Sequence, residues 1–191
     1  YCGINRWIFF NFTSYSIYSF KVFLLIYFSL SFLMYKIIKS KISNQGLVAT
    51  RDIRKNIKIM DYKGRLISKK ETESNEKFDN DKHIYLFNIN KKYDLDGDYK
   101  YNTARLINHS CDPNCEVTGK GTKLWISSIK DIKKGEELCY DYGFGFDENY
   151  RDFPCKCRSS NCCGYIVREG SRWRINKNKP WLKRSLKQKK I

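Results

Sequence analysis

The hydrophobic positions after residue 36 fall in short runs that turn residues interrupt every few positions. QGLVAT, IKIMDYKGRLIS, HIYLFNI and TKLWISSIKDI are typical of strands, with breaks expected at Gly46 and Gly64. KKGEELCYDYGF predicts a turn followed by a strand, and KKYDLDGDYKY predicts an acidic turn. Residues 68–82 are polar and predict a surface helix or loop. No strong helical period or internal repeat appears, so the sequence predicts a mostly β domain.

The N-terminal stretch has a different pattern. Residues 7–38 are rich in aromatic and aliphatic side chains, and their only charges are Lys21 and Lys36. Residues 22–38 are nearly long enough to span a bilayer, and the lysines that follow would place the main domain on the cytoplasmic side.

Two interpretations of residues 1–33 stay open. They are a membrane anchor, or they are upstream sequence that is not normally translated, with Met34 opening the compact domain. A cleaved signal peptide is not indicated, because no short charged n-region or small-residue cleavage site is evident.

Composition changes the picture in two ways. Charged residues make up 30% of the 191 residues and hydrophobic ones 41%, which is typical of one globular domain with extensions. The net charge of +17 favours a polyanion or an acidic surface as partner, and the alternative is an overall compositional bias in which lysine is abundant. Such a bias is a weaker explanation for the positive charge of the segment from Ser171 onward, which has nine Lys or Arg residues and no acid.

The cysteines are crowded at two places. Cys155, Cys157 and Cys162 form C-x-C-x4-C, but tetrahedral zinc takes four ligands. Cys163 directly follows Cys162, and neighbouring residues rarely bind one ion without strain. The fourth ligand therefore comes from elsewhere in the chain, or the cluster consists of disulfides. The crowding, with Cys139 in an apolar run, favours a metal protein over a secreted disulfide framework.

Two further segments carry chemistry. In NTARLINHSCDPNCE, the adjacent Asn108 and His109 are suited to binding a polar ligand, although the same residues are common in an ordinary capped turn. In GEELCYDYGF, Tyr140, Tyr142 and Phe144 alternate and would share one face of a strand. Such a face is usually core, but it also suits a narrow channel for an aliphatic chain that ends in a cation.

NHSC, GEELCYDYGF and C-x-C-x4-C, in this order, resemble the SET-domain protein lysine methyltransferases with a post-SET zinc segment. NQGLVATRDIRKNIKIMDYKG resembles the opening of that family, and HIYLFNI, DLDG and NTARLINHS resemble its middle. The resemblance covers about residues 36–170. It implies a SET-domain fold of small sheets with a pseudoknot-like active site and a zinc-bound C-terminal segment.

The chain is thus predicted to have four parts. The resemblance implies a SET domain at 34–150 and a post-SET zinc segment at 151–170, and the hydrophobic and charge patterns add a hydrophobic leader at 1–33 and a basic tail at 171–191. The resemblance also implies that Cys111 joins Cys155, Cys157 and Cys162 around a structural zinc ion. Cys115, Cys139 and Cys163 are then spare thiols.

The activity implied by the resemblance is methyl transfer from S-adenosylmethionine to a protein lysine ε-amine. Tyr142 would lie at the transfer centre, with Tyr62 and Tyr140 at the lysine pocket. The residues implied to contact the cofactor are Asn44, Gln45, Gly46, Tyr85, Arg105, Asn108, His109, Tyr142 and Tyr165.

Three positions refine this picture. Tyr140 occupies the Phe/Tyr switch position, which favours monomethylation. Asn44 replaces the first glycine of G-x-G, where asparagine tolerates the same turn. Arg65 replaces the common acid after Y-x-G, which alters a supporting or substrate contact.

The expected partner is a protein with a target lysine, a histone or nucleosome in the first place, and the expected state is a monomer. The expected location is the nucleus or chromosome in a eukaryote, and otherwise the cytoplasm or a host's chromatin. Membrane association is expected only if residues 7–38 are a real anchor. The alternatives are a non-catalytic SET-like binding module, a methyltransferase of a non-histone protein and a zinc-dependent nucleic-acid binder. The last lacks paired C-x2-C knuckles and interleaved aromatics.

The basic tail predicts contact with DNA phosphates, which would position the enzyme on a nucleosome. Deleting residues 176–191 should weaken nucleosome binding and remove most of its salt dependence, because fewer counterions are released. Titrations at two salt concentrations, with the intact chain as control, measure both effects. Equal affinity and equal salt dependence of the two proteins would contradict the prediction.

Overall fold

The computed structural model describes residues 33–78 and 85–175, and the elements below all lie in the compact unit Met34–Ile191. The strands are β1 Tyr35–Lys39, β2 Gln45–Ala49, β3 Lys58–Tyr62, β4 Arg65–Ser68, β5 Leu86–Asn88, β6 Tyr93–Asp96, β7 Asn108–His109, β8 Cys115–Lys120, β9 Lys123–Ser128 and β10 Cys139–Tyr140. The helix α1 is Lys69–Ser74, and 3-10 turns are at Glu76–Phe78, Thr103–Leu106, Tyr150–Asp152 and Glu169–Arg174. The predicted mostly β architecture of small sheets is confirmed.

Strands β1 and β2 form an antiparallel pair whose register joins Tyr35 to Ala49 and Lys39 to Gln45. The predicted break at Gly46 is wrong, because this glycine lies inside β2. Glycine is required there by a close approach, since a Cβ atom would lie 2.3 Å from Oε1 of Glu137. Gly64 does separate two strands, β3 and β4.

The largest antiparallel sheet has the order β3-β9-β8, and the β8–β9 hairpin turns at Gly121 with φ +63°. Ile126 on β9 is fully buried, as are Leu47 on β2 and Leu138 just before β10. These apolar side chains belong to one core, and that core provides the hydrophobic stabilisation that holds the small sheets together.

The third sheet, β4-β6-β5, corrects the predicted acidic turn. Tyr93–Asp96 is the central strand of this sheet, and both Asp94 and Asp96 are buried. Their carboxylates accept hydrogen bonds from the Nζ atoms of Lys69 and Lys77, at 2.5 and 2.7 Å. These pairs offset the cost of burying the acids, which is why charged residues are tolerated in a central strand.

The polar segment 68–82 begins as a short surface helix, as predicted. Ser68 caps α1 by accepting a hydrogen bond from the amide of Glu71 at 3.1 Å, and no residue of α1 is buried. Residues 79–84 lie outside the described residues, so the N-terminal part of the predicted strand HIYLFNI is not covered. Its described part contains β5.

Residues 136–140 are hydrogen-bonded on two sides. On one side, the Ala49 amide donates to the Glu136 carbonyl at 2.9 Å, and the Leu138 amide donates to the Leu47 carbonyl at 2.7 Å. On the other side, β10 pairs in parallel with β7, joining Cys139 to Asn108 and Tyr140 to His109. Residues 136–140 therefore lie between β2 and β7, which brings the motifs GEELCYDYGF and NHSC together.

No helix within residues 33–78 and 85–175 is long and apolar enough to cross a membrane. Residues 35–38, the end of the predicted span 22–38, lie in β1 instead, paired with β2. Residues 22–32 of that span and the tail 176–191 lie outside the described residues.

Candidate active site and metal centre

A cavity of about 360 Å³ lies where β2, β7 and the C-terminal cysteine segment meet. Seven of the nine residues predicted to bind a cofactor line it: Asn44, Gln45, Tyr85, Arg105, Asn108, His109 and Tyr142. Gly46 lies behind the lining, where a Cβ would be 3.0 Å from Nδ2 of Asn108. Tyr165 does not line the cavity. Its ring packs edge-on against Tyr150 at 5.0 Å, and its neighbour Ile166 is a lining residue.

The side chain of Asn108 connects β7 to β2. Its Nδ2 donates to the carbonyl of Gln45 at 2.9 Å and to Oε1 of Glu137 at 2.7 Å. Ser40 donates to the same carboxylate oxygen at 2.7 Å. Glu137 therefore organises one wall of the cavity, although sequence analysis did not single it out. The available signal was a glutamate directly before the buried run Leu138–Tyr140.

His109 connects the cavity to the cysteine cluster. Its Nδ1 accepts the amide of Tyr142 at 3.2 Å, and its Nε2 lies 3.6 Å from Sγ of Cys111. Burial lowers the pKa of His109 to about 4; Asp141 opposes this shift, and the Arg172 charge adds to it. The ring is therefore neutral at pH 7. Because Nδ1 accepts, Nε2 carries the proton and points it toward the sulfur.

Aromatic rings form a continuous row beside this cavity. Tyr62 lies edge-on to Phe87 at 4.7 Å, Phe87 is 6.3 Å from Tyr140, and Tyr140 is 4.9 Å from Tyr142. Phe144 follows at 5.9 Å from Tyr142. The strand itself ends at Tyr140, so the predicted extension of the strand to Phe144 is wrong. The rings nevertheless remain in contact.

The phenol hydroxyls of Tyr62 and Tyr142 donate hydrogen bonds to backbone carbonyls. Tyr142 donates to the carbonyl of Ile107 at 2.9 Å, and Tyr62 donates to the carbonyl of Tyr85 at 3.2 Å. Burial raises the pKa of Tyr62, Tyr140 and Tyr142 above the ordinary value. All three phenols are therefore protonated at neutral pH, which makes them hydrogen-bond donors rather than bases.

A second cavity of about 540 Å³ lies next to the first and shares Tyr142 and Ile166 with it. Its other walls come from β5 and from the loop after β10: Leu86, Phe87, Asn88, Gly143, Phe144, Gly145, Asp147, Tyr150 and Phe153. Among the described residues, one carboxylate and no cation line it. Tyr142 is thus a wall between two cavities, a geometry suited to transfer of a small group between two ligands.

The four predicted metal ligands meet in space. The Sγ atoms of Cys111, Cys155, Cys157 and Cys162 all lie within 4.8 Å of one another. Cys111 Sγ is 3.9 Å from the sulfurs of both Cys155 and Cys162. A tetrahedral zinc ion with Zn–S bonds of about 2.3 Å sets sulfur separations near 3.8 Å, so the cluster fits zinc.

One member of the cluster favours the thiolate without a metal. Partial burial of Cys157 opposes ionisation, but hydrogen bonds from Ser159 and the Cys111 amide outweigh it and lower the pKa to about 6. The spare cysteines Cys115, Cys139 and Cys163 are all buried and outside the cluster. The thiol of Cys163 donates to the carbonyl of Tyr165 at 3.2 Å.

Comparison with known proteins finds a protein family whose model matches part of this chain. The family model of the SET domain matches residues 44–143. The human protein "Histone-lysine N-methyltransferase 2D" is 38% identical over 130 residues, covering 65% of this chain and 2% of the relative. The Schizosaccharomyces pombe protein "Histone-lysine N-methyltransferase, H3 lysine-4 specific" is 39% identical over 135 residues, covering 66% of this chain and 14% of the relative.

A third relative is the Drosophila melanogaster protein "Histone-lysine N-methyltransferase trr". It is 36% identical over 130 residues, covering 65% of this chain and 5% of the relative. The chain therefore spans only a small part of the length of the curated relatives that it matches.

The geometry of the cluster predicts that Cys111 binds zinc and that Cys163 does not. Cys111→Ser should reduce bound zinc from ~1 ion per chain to less than about half, because a structural site needs four ligands. Cys163→Ser, the matched control, should retain it. Elemental analysis after gel filtration measures both. Equal zinc content in the two variants would contradict the assignment of Cys111.

Proposed function

Because the chain belongs to the SET-domain family, whose model matches residues 44–143, we propose that it transfers a methyl group from S-adenosylmethionine to the ε-amine of a lysine in a protein. The observation that carries this proposal is Tyr142, which lies between two neighbouring cavities. One cavity would bind the methyl donor, and the other would bind the peptide that contains the lysine.

We propose histones as the substrate class. The relatives compared above are all named histone-lysine N-methyltransferases. The net charge of +17 suits binding to a nucleosome, which combines histones with polyanionic DNA. A chromatin location follows from this substrate. The DNA contact, which involves residues 176–191 outside the described part of the chain, and the monomeric state stay predictions.

The first cavity fits S-adenosylmethionine in size and in the groups it offers. Its volume of about 360 Å³ lies in the range of small-molecule sites. Gln45 and Asn108 are held against each other by the hydrogen bond of Asn108 Nδ2 to the Gln45 carbonyl. Arg105 lies 5.8 Å from the ring centre of Tyr85, which orients both side chains along one wall. When bound, the cofactor supplies an electrophilic methyl group on a sulfonium.

The aromatic row would prepare the lysine for reaction. The rings of Tyr62, Phe87 and Tyr140 contact one another next to Tyr142 and would line the path of the lysine side chain, and Gly97 leaves room for the Tyr62 ring because it has no side chain. A Cβ at Gly97 would lie 2.3 Å from the Tyr62 ring. Apolar walls favour the neutral amine over the ammonium, so the nucleophile needs no strong general base. The Tyr142 hydroxyl and the Ile107 carbonyl would orient that amine.

Zinc is proposed as a structural ion. Cys155 is a ligand candidate and also lines the first cavity, together with Pro154 and Lys156. The segment that the ion would hold thus supplies a wall of the cofactor site. Few apolar side chains anchor this segment, so the metal would contribute much of the free energy that keeps it in place.

Tyr142→Phe tests the transfer centre. It removes the hydroxyl of a residue that lines both cavities, and kcat should fall by about 100-fold or more, as for loss of one oriented donor at a reaction centre. Labelled S-adenosylmethionine with histones and nucleosomes measures the transfer. Tyr101→Phe is the matched control, because Tyr101 is 58% exposed, and it should keep wild-type activity. Equal labelling by the two variants would contradict the role of Tyr142.

Tyr140→Phe tests the proposed preference for monomethylation. Removing the buried hydroxyl should leave room for an already methylated amine, so the fraction of di- and trimethylated product should rise while total turnover stays within about tenfold. Mass spectrometry of histone peptides at matched turnover measures the product states. An unchanged product distribution would refute the assignment of Tyr140.

A further inference from the structure

Arg172 is a buried cation in a segment that the sequence presents as a basic tail. Only 2% of the residue is exposed. Its Nε donates to the Val167 carbonyl at 2.8 Å, Nη1 to the Cys111 carbonyl at 2.7 Å, and Nη2 to Oδ2 of Asp141 at 2.7 Å. Every nitrogen of the guanidinium therefore has a different acceptor.

These acceptors belong to three parts of the molecule. Val167 follows the cysteine segment, and Cys111, which is itself a metal-ligand candidate, follows β7. Asp141 lies between Tyr140 and Tyr142. One side chain thus joins the C-terminal segment, the metal loop and the tyrosine segment. The planar fork of arginine can reach three acceptors in fixed directions, which a lysine ammonium on a flexible stem cannot reproduce.

Asp141 is held from several sides. Its Oδ1 accepts the Gly143 amide at 2.9 Å. Its Oδ2 accepts the Glu169 amide at 3.0 Å in addition to Arg172. The carboxylate of Asp141 therefore fixes the backbone that follows Tyr142 and joins it to the segment at Glu169, and the guanidinium of Arg172 balances its charge.

We infer that Arg172 is a positioning residue for methyl transfer, holding Tyr142 in place through Asp141 and the metal loop through the Cys111 carbonyl. This inference rests on the proposed function. It means that two separate sets of contacts fix the C-terminal segment at the active site: the zinc cluster and the hydrogen bonds of Arg172. Asn108 in the wall of the cofactor cavity is hydrogen-bonded to Glu137 and to the Gln45 carbonyl of β2, and neither bond involves Arg172. Loss of the Arg172 contacts should therefore affect turnover more than cofactor binding.

The test compares Arg172→Met and Arg172→Lys with Arg168→Met in the full 191-residue chain. Arg168 is an exposed arginine four residues earlier, so its variant removes the same charge without the buried contacts. Arg172→Met should retain ~1 zinc per chain. Its kcat should fall by about tenfold or more, with KM for S-adenosylmethionine changed less than about threefold. Arg172→Lys should not restore the rate, and Arg168→Met should match wild type.

Hydrogen exchange gives a readout that does not depend on activity. In Arg172→Met with zinc bound, the amides of Gly143 and Glu169 should exchange faster than in Arg168→Met, because both donate to Asp141. A kcat equal to that of Arg168→Met, full rescue by lysine, or unchanged exchange would overturn the inference. Loss of turnover only in proportion to lost zinc would overturn it too.

Asp141→Asn covers the case in which Arg172→Met does not fold. This variant keeps the size of the side chain and one carbonyl acceptor, and it should lower kcat by about fivefold or more with zinc retained. Wild-type kcat in Asp141→Asn would overturn the inference. An inactive wild-type chain with normal zinc content would instead overturn the proposed function, and the exchange measurement would still decide the role of Arg172.

Discussion

The site depends on one segment, residues 136–140, that is hydrogen-bonded to β2 on one side and to β7 on the other. This arrangement alone places Asn108 and His109 beside Tyr140 and the tyrosine that follows. The Asn114 side chain reinforces it by donating to the Glu137 carbonyl at 2.8 Å and accepting the Cys139 amide at 2.9 Å. Because the segment is held from both sides, the Asn108 and Tyr140 positions cannot separate without breaking backbone pairs that are costly to leave unmade in the interior.

The fold class could be predicted from sequence because its signals are local, whereas the joining of Cys111 to the C-x-C-x4-C cysteines could be predicted only through the resemblance to a known family. Short strands show themselves in runs of a few residues, and thiols are rare enough that C-x-C-x4-C and NHSC stand out. Roles of individual residues remain predictions, although the structure brings most of the predicted residues to one cavity. Of the nine residues predicted to contact the cofactor, Gly46 and Tyr165 do not line this cavity, and Ile166 takes the lining position next to Tyr165.

What could not be predicted involves charges whose partners are distant in sequence. Asp94 and Asp96 look like turn residues until Lys69 and Lys77 are known to cover them. Glu137 resembles a surface acid, yet it is held by Ser40 and Asn108. Arg172 is one of nine cations after Ser171, and no pattern distinguishes it from the others. Pairing of a buried charge is a property of the three-dimensional packing, so residue type and local spacing do not reveal it.

Cys155 both offers a sulfur to the cluster and lines the first cavity. Two binding equilibria, for a metal and for a small molecule, therefore share one residue and the short segment that carries it. Thermodynamic linkage then requires reciprocity: if an ion on the cysteines tightens binding in the cavity, an occupied cavity slows or weakens loss of that ion by the same free energy. In a cell, the occupancy of each ligand would thus report on the supply of the other.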